Sequence, residues 1–400
     1  MNNEKNILVY VTSHGHPSMK RITNDILQGF SKLGYKLVVA DLNDAPSMLG
    51  ARHLLLNGEI SFSVGVNYSA KTMVDKEGRC VYEYLDTPFV SIMLDAPYNV
   101  ATGDIGFLCK NHFVCVLDKT HLEALKLCYP HKQFAGSMVL PLGGSSSKNE
   151  EEIFSSDRPL DVVYSAAIYK GGSFEPNWHE YEKNPYIVAL LDDVVDYMLA
   201  NPVSTLTALK TVMESRGLCG EEYLEKMTPH LFSLFHFVKH RRRYNALELL
   251  TKEEIPVEVY GNGWENVPFA NKLNLHGEVD YEVVLEAFSK AKVVFQDQAE
   301  YNNGGHDRVF TAMLHGAAVV SEYSTYLAEK FEVNKDIFLF DWKNTVSQVQ
   351  IIKELLNNES LRLSTAISAY GKASTNHRWV NRASSIMEMI SILQGKQLWC

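Results

Sequence analysis

The chain lacks any run of the ~18 apolar residues that a membrane-crossing helix needs, and its opening Met1-Asn-Asn-Glu-Lys-Asn6 has neither the basic start nor the apolar centre of a secretion signal. A cytoplasmic location is therefore expected. Cysteine is sparse: the six (Cys80, Cys109, Cys115, Cys128, Cys219, Cys400) form no CxxC pair, which points to thiols rather than a disulfide framework or a zinc site. HExxH and DxD are missing too, so no metal ligands are assigned. Without a Walker A loop, a GxSxG elbow or a GxGxxG turn, the sequence offers no P-loop, no α/β-hydrolase nucleophile and no dinucleotide fingerprint. Positive charge is also in short supply, at 38 Lys and Arg against 48 Asp and Glu. A formal charge of −10 argues against nucleic acid or an acidic membrane as partner.

What is present is the pattern of an α/β enzyme long enough for two domains. Asn6-Ile-Leu-Val-Tyr-Val11 predicts a buried strand, and Ile22, Ile26, Leu27, Phe30 and Leu33 predict one face of a following helix that Gly34 ends. The alternation continues through Tyr35–Asp41, a helix near Ser47 to Asn57, Ile60–Gly65, Pro88–Pro97, Phe113–Leu117 and Ser137–Pro141. His14, His16 and Asp95 fall at strand ends, the edge where open α/β sheets bind ligands. Gly143–Glu152 reads as a linker, giving an expected first domain at 1–150 and a second at 151–375. A helical insertion is expected at about 171–240, and a last segment, 376–400, is expected to pack back on the first domain. Lys239-His-Arg-Arg-Arg243, inside the helical stretch, reads as a solvated basic face.

The second half centres on Tyr301-Asn-Asn-Gly-Gly-His-Asp-Arg-Val-Phe-Thr-Ala-Met-Leu-His-Gly316, placed between the apolar runs Lys292–Gln296 and Ala317–Ser321. Phe310, Met313, Leu314 and Ala317 recur at helical spacing, so the unit reads strand, loop, helix, strand. Gly304, Gly305, His306, Asp307 and Arg308 then fall at a helix start, where unpaired backbone N–H groups favour an anion. A cation in the first turn opposes the helix dipole unless something negative accompanies it, and a phosphate would suit Arg308. Gly261 and Gly263, after the strand Val257–Tyr260, are further candidates for anion contact.

The order of these phrases resembles the CgeB-like, spore-maturation-type glycosyltransferases of the GT-B fold. The resemblance rests on Asp95-Ala-Pro97, Leu140-Pro141, Asp161-Val-Val-Tyr-Ser-Ala166, Tyr260-Gly-Asn-Gly-Trp264, His276-Gly-Glu-Val279 and Arg308-Val-Phe-Thr-Ala-Met-Leu-His-Gly316, over roughly residues 90 to 385. It implies two Rossmann-like domains facing across a cleft, with a nucleoside-diphosphate-sugar donor in the second and no required metal or other cofactor. Donor contacts would come from Ser165, Arg243, Gly261, Gly263, Val279, Gly304 to Arg308 and Thr311. Two departures stand out. Thr311 replaces the family's glutamate, and the family's arginine after the first glycine phrase (here Ser165-Ala166-Ala167) is displaced to Arg241–Arg243 by the insertion.

The implied activity is transfer of a sugar to a glycan, a protein or a small molecule, with His16 or Asp95 as base if the anomeric centre inverts. The insertion is a candidate oligomer contact or a restriction on acceptor access. A sugar-nucleotide epimerase, a phosphorylase, or a non-catalytic nucleotide-sugar-binding or coat protein on the same frame stays open.

Overall fold

Apolar runs such as Ile7-Leu-Val-Tyr-Val11 are buried on both faces, which is the pattern of strands inside a parallel sheet covered by helices. The computed structural model describes residues 6–100, 107, 109–146, 150–154, 157–169, 175–298, 300–393 and 395. It divides into two units, Met1–Ser145 with Asn376–Cys400, and Ser146–Thr375. The expected start of the insertion at about 171, and residues 394 and 396–400, lie outside the described residues.

In the first unit β1 (Asn6–Val11), β2 (Leu37–Asp41), β3 (Ile60–Val66), β4 (Phe89–Ile92), β5 (His112–Val116) and β6 (Gly136–Val139) form a parallel sheet in the order β2-β1-β3-β4-β5-β6. Helix Pro17–Lys32 starts with proline in its first turn, where the missing N–H costs nothing, and buries Ile22, Ile26 and Phe30. A Cβ on Gly29 would lie 2.8 Å from the Trp379 carbonyl oxygen, so that glycine is what lets helix Trp379–Leu393 cross so closely.

The sequence pattern runs one helix from about Leu361 to Leu393. The structure instead ends helix Glu359–Asn376 and begins a new one at Trp379. The His377 carbonyl accepts from the Gly144 N–H at 2.7 Å, which takes it out of the helical ladder.

In the second unit β7 (Leu160–Ser165), β8 (Val257–Tyr260), β9 (Asn274–Gly277), β10 (Ala291–Gln296), β11 (Ala318–Glu322) and β12 (Phe338–Phe340) give a parallel sheet in the order β12-β11-β10-β7-β8-β9. Phe310, Met313 and Leu314 of helix Asp307–Leu314 pack on one face with Val163, Val294 and Val319. Leu247, Leu250 and Ile352 cover the other with Val162, Val293 and Phe295. Each such side chain contributes roughly 1.5–3 kcal/mol on full burial. Chain order reverses between β1 and β3 in one sheet and between β7 and β10 in the other. The carboxyl ends of strands at such a reversal form the crevice where α/β sheets hold ligands, because the loops there run in opposite directions.

The insertion supplies helices Pro185–Ala200, Thr205–Ser215 and Glu221–Met227, then merges into a single helix, Leu231–Lys252. Arg242 and Arg243 on that helix are buried, so the basic cluster is not a solvated face. Arg242 occupies the four-residue stripe Val238, Arg242, Ala246, Leu250, whose other members all lie in the core.

Candidate functional site

The loop leaving β10, at the reversal point of the second sheet, is tied down along its length. The Gln298 side chain donates to Ser321 Oγ at 2.6 Å and accepts from the His306 N–H at 3.0 Å. Ser324 Oγ donates to the Gly304 carbonyl at 2.5 Å, and Thr325 N–H to that of Asn302 at 2.9 Å. A Cβ on Gly305 would stand 2.7 Å from the Phe310 ring, so this glycine lets the loop close down on its own helix.

That bracing fixes the start of helix Asp307–Leu314, for which His306 is the N-cap residue. His306 Nδ1 lies 2.5 Å from Asp307 Oδ1, and Tyr281 Oη donates to Asp307 Oδ2 at 3.2 Å. Burial raises the Asp307 pKa, but His306 and Arg308 more than offset it and hold the carboxyl below its usual range. Arg308 Nη2 donates to His306 Nε2 at 2.8 Å, while Arg308 Nε is buried with no partner. Among the described residues, no carboxylate lies within ion-pair distance of this guanidinium. The result is a cation braced in the first turn with its Nε–H unfilled, which an anion would complete, while the Gly304, His306 and Val309 amides already donate to the Tyr301 carbonyl, the Gln298 side chain and the His306 carbonyl.

Behind it, Asp297 accepts from Arg243 Nε and Nη2 at 3.1 and 2.9 Å and from Tyr164 Oη at 2.9 Å. Burial pushes the Asp297 carboxyl up, yet Arg243 and then Arg308 hold it far below the ordinary range. Arg243 also donates to the Ala167 carbonyl at 2.8 Å, so this candidate donor ligand ties the β7 loop to the β10 loop. Beside it, Arg242 bonds Glu322 Oε1 at 3.2 Å and the carbonyls of Met198 and Asn201 at 2.6 and 3.1 Å. Burial lifts the Glu322 pKa to about 7 against the pull of Arg242. Glu300 accepts from the Thr205 N–H at 3.2 Å, at the start of helix Thr205–Ser215. The insertion is thereby pinned onto this edge of the sheet, over a small pocket lined in part by Phe235, Arg242, Glu300, Glu322 and Trp342.

The other expected donor residues lie at the ends of β7 and β8, after β9, and within helix Asp307–Leu314. Ser165 is half-buried at the end of β7. Gly261 N–H donates to the Gly277 carbonyl at 2.8 Å and Gly263 N–H to Glu265 at 2.9 Å, so neither amide is open to an anion. Their Cβ positions are also taken: one on Gly263 (φ +93) would sit 1.9 Å from the Ile168 carbonyl oxygen. These glycines join the β8 loop to the β7 loop, helped by Trp264 Nε1 donating to the Ala166 carbonyl at 2.7 Å. Val279 packs half-buried against the core, and Thr311 is fully buried.

In the first unit, His16 is the exposed N-cap of helix Pro17–Lys32. Its Nδ1 accepts from the Ser18 N–H at 3.3 Å and lies 2.7 Å from Ser18 Oγ. Asp95 is exposed beyond the end of β4. Because β3 lies between β1 and β4, their strand ends are two strand spacings apart, roughly 10 Å.

Asp297, Tyr164, Glu300 and Glu322 escape sequence reasoning because their meaning comes from partners 54 to 133 positions away. The signal that was available is Arg242 in an apolar stripe, since a buried guanidinium requires a buried acid.

Residues 241–388 match a family model described as glycosyl transferase-like. Similar solved structures include T4 phage BGT in complex with its UDP-glucose substrate (TM-score 0.52, 10% identity, 97% of this chain and 99% of that one). Anabaena HepE in complex with UDP and glucose gives 0.51 at 12% identity over 97% and 100%. Sucrose-phosphate synthase from Thermosynechococcus elongatus gives 0.50 at 11% over 98% and 99%. The fold is GT-B. The sequence matches none of the curated proteins compared. In this GT-B chain the matched glycosyl transferase-like stretch includes both Arg243 and the Gly304–Arg308 helix start. Among the described residues no three His, Cys, Asp or Glu side chains gather as metal ligands, and no helix is long and apolar enough to cross a membrane.

Proposed function

We propose that the protein is a glycosyltransferase that holds the diphosphate of a nucleoside-diphosphate sugar at the start of helix Asp307–Leu314. The observation that carries this is Arg308, a braced cation with no carboxylate partner among the described residues and an unfilled buried N–H at the strand reversal of the donor-type unit. In the reaction the anomeric carbon–oxygen bond to the diphosphate breaks, an acceptor oxygen bonds to that carbon, and the acceptor proton leaves. Arg308, with the positive end of the helix dipole behind it, stabilises the charge that builds on the leaving diphosphate, the work a divalent ion does in other enzymes, and metal independence follows from this reading.

T4 phage BGT and Anabaena HepE support a UDP-sugar as the first donor to try. The phrases Asp95–Pro97, Tyr260–Trp264 and Arg308–Gly316 support a place among the CgeB-like enzymes, with a glycan, protein or small molecule as acceptor. His16 and Asp95 are the candidates for the base of an inverting transfer, at the carboxyl edge of the first sheet. His16→Ala and Asp95→Asn are to be compared in one assay. The base is the residue whose loss lowers kcat on the order of 100-fold while donor affinity holds. The activity itself is tested with a panel of nucleotide sugars, reading thermal shift and slow release of free nucleotide. Silence in both readouts across the panel contradicts the reading.

A further inference from the structure

The three residues His306, Asp307 and Arg308 form a chain of contacts whose proton positions the chemistry dictates. A guanidinium has donors only, so the 2.8 Å contact from Arg308 Nη2 requires His306 Nε2 to present a lone pair. The ring proton must then sit on Nδ1, where Asp307 Oδ1 receives it at 2.5 Å. The Arg308 backbone N–H also points at Nδ1, at 3.4 Å, but a protonated Nδ1 cannot accept, and that contact is too long to compete. Asp307 is itself held from the neighbouring helix by Tyr281. The imidazole meets the edge of the Tyr301 ring at 5.4 Å, and Gln298 holds its backbone N–H, so the ring has little freedom to turn.

We infer that His306, locked as the Nδ1–H tautomer by Asp307, is a positioning residue that holds Arg308 in place for the donor diphosphate. This rests on the donor site proposed above. The device works only while the imidazole is neutral. A second ring proton would point an N–H at Arg308 and set two cations in contact, which breaks the brace. The charged groups facing the ring divide: burial and Arg308 oppose its protonation, whereas Asp307 and Asp297 favour it. The balance lies below the ordinary histidine value, so Arg308 stays braced near neutral pH and is released as the solution becomes acidic.

Two measurements test this. In the first, which needs no donor, histidine side-chain NMR should show His306 in wild type as the Nδ1–H tautomer, and Arg308→Met should raise its titration midpoint. An Nε2–H tautomer, or an unmoved midpoint, overturns the pairing. In the second, UDP binding is titrated calorimetrically across pH. His306→Ala should lose about tenfold in affinity, the scale of one hydrogen bond to a charged group. His306→Gln, whose amide oxygen can accept without titrating, should keep most of the affinity and lose the acid-side fall. An alanine variant that binds like wild type, or a glutamine variant that keeps the wild-type pH profile, overturns the positioning role. If wild type binds neither UDP nor GDP, ADP or dTDP while the NMR result holds, the donor reading fails and the histidine–arginine pairing stands.

Discussion

His112 is a buried imidazole with neither ring nitrogen hydrogen-bonded among the described residues, and it is enclosed by Phe89, Phe107 and Phe134. Burial, helped by Lys132, pushes its pKa down to about 3. The unfolded chain takes up that proton near the ordinary value of about 6.5, so the folded state binds fewer protons between those limits. The stability this site contributes is therefore whole above pH ~6.5 and declines, by up to ~1.4 kcal/mol per pH unit, as pH falls toward 3. His236 and His240, shifted down to about 3 and about 2, act in the same direction. His112→Phe should raise stability at pH 7 by removing two unsatisfied nitrogens, and should gain more at pH 4.5. Urea melts at the two pH values check this, and an equal gain at both contradicts the assignment. Before the structure, nothing marks His112 as special: it opens an apolar run, and only the packing shows that no acceptor reaches it.

At the scale of elements, the βαβ unit around residues 292–321 is legible because its apolar residues change period, from a continuous run to helical spacing and back. Helix Asp307–Leu314 and the strands on either side follow from that pattern. The burial of Arg243 was not legible, and that of Arg242 only through its apolar stripe, because a charged residue counts as polar in any periodicity until Asp297 and Glu322 are seen beside it. The break at His377 likewise depends on a hydrogen bond to Gly144, which local sequence does not encode.

Two substitutions probe how the strand-end loops are joined. Gly263→Ala places a methyl group against the Ile168 carbonyl at a φ of +93, and should destabilise by well over ~1 kcal/mol in urea unfolding. A neutral result means the β7 and β8 loops are not packed as described. Arg243→Met leaves the buried Asp297 without its guanidinium partner and should cost about 3–5 kcal/mol, most of which Asp297→Leu in the same chain should restore. A double variant no more stable than the single one contradicts the account of that pair.

For the whole molecule, two parallel sheets each reverse their strand order once. In the second sheet, the loops at that reversal carry the cation that the proposed chemistry needs. On the proposed reading turnover should survive excess chelator, because Arg308 would carry the charge stabilisation that a divalent ion gives elsewhere; a loss restored by manganese or magnesium contradicts metal independence. The general α/β character and the helix start were legible as patterns, while the roles of Gly261 and Gly263 were not. A glycine that lets two backbones approach looks the same in sequence as one that greets a phosphate. The central claim, that Arg308 holds the donor diphosphate, is tested most directly by calorimetric titration of wild type and Arg308→Ala with UDP-glucose and a panel of other nucleotide sugars. The account predicts that the variant loses about 1.5–3 kcal/mol of the affinity wild type shows for its donor. Equal binding by the two proteins would contradict it.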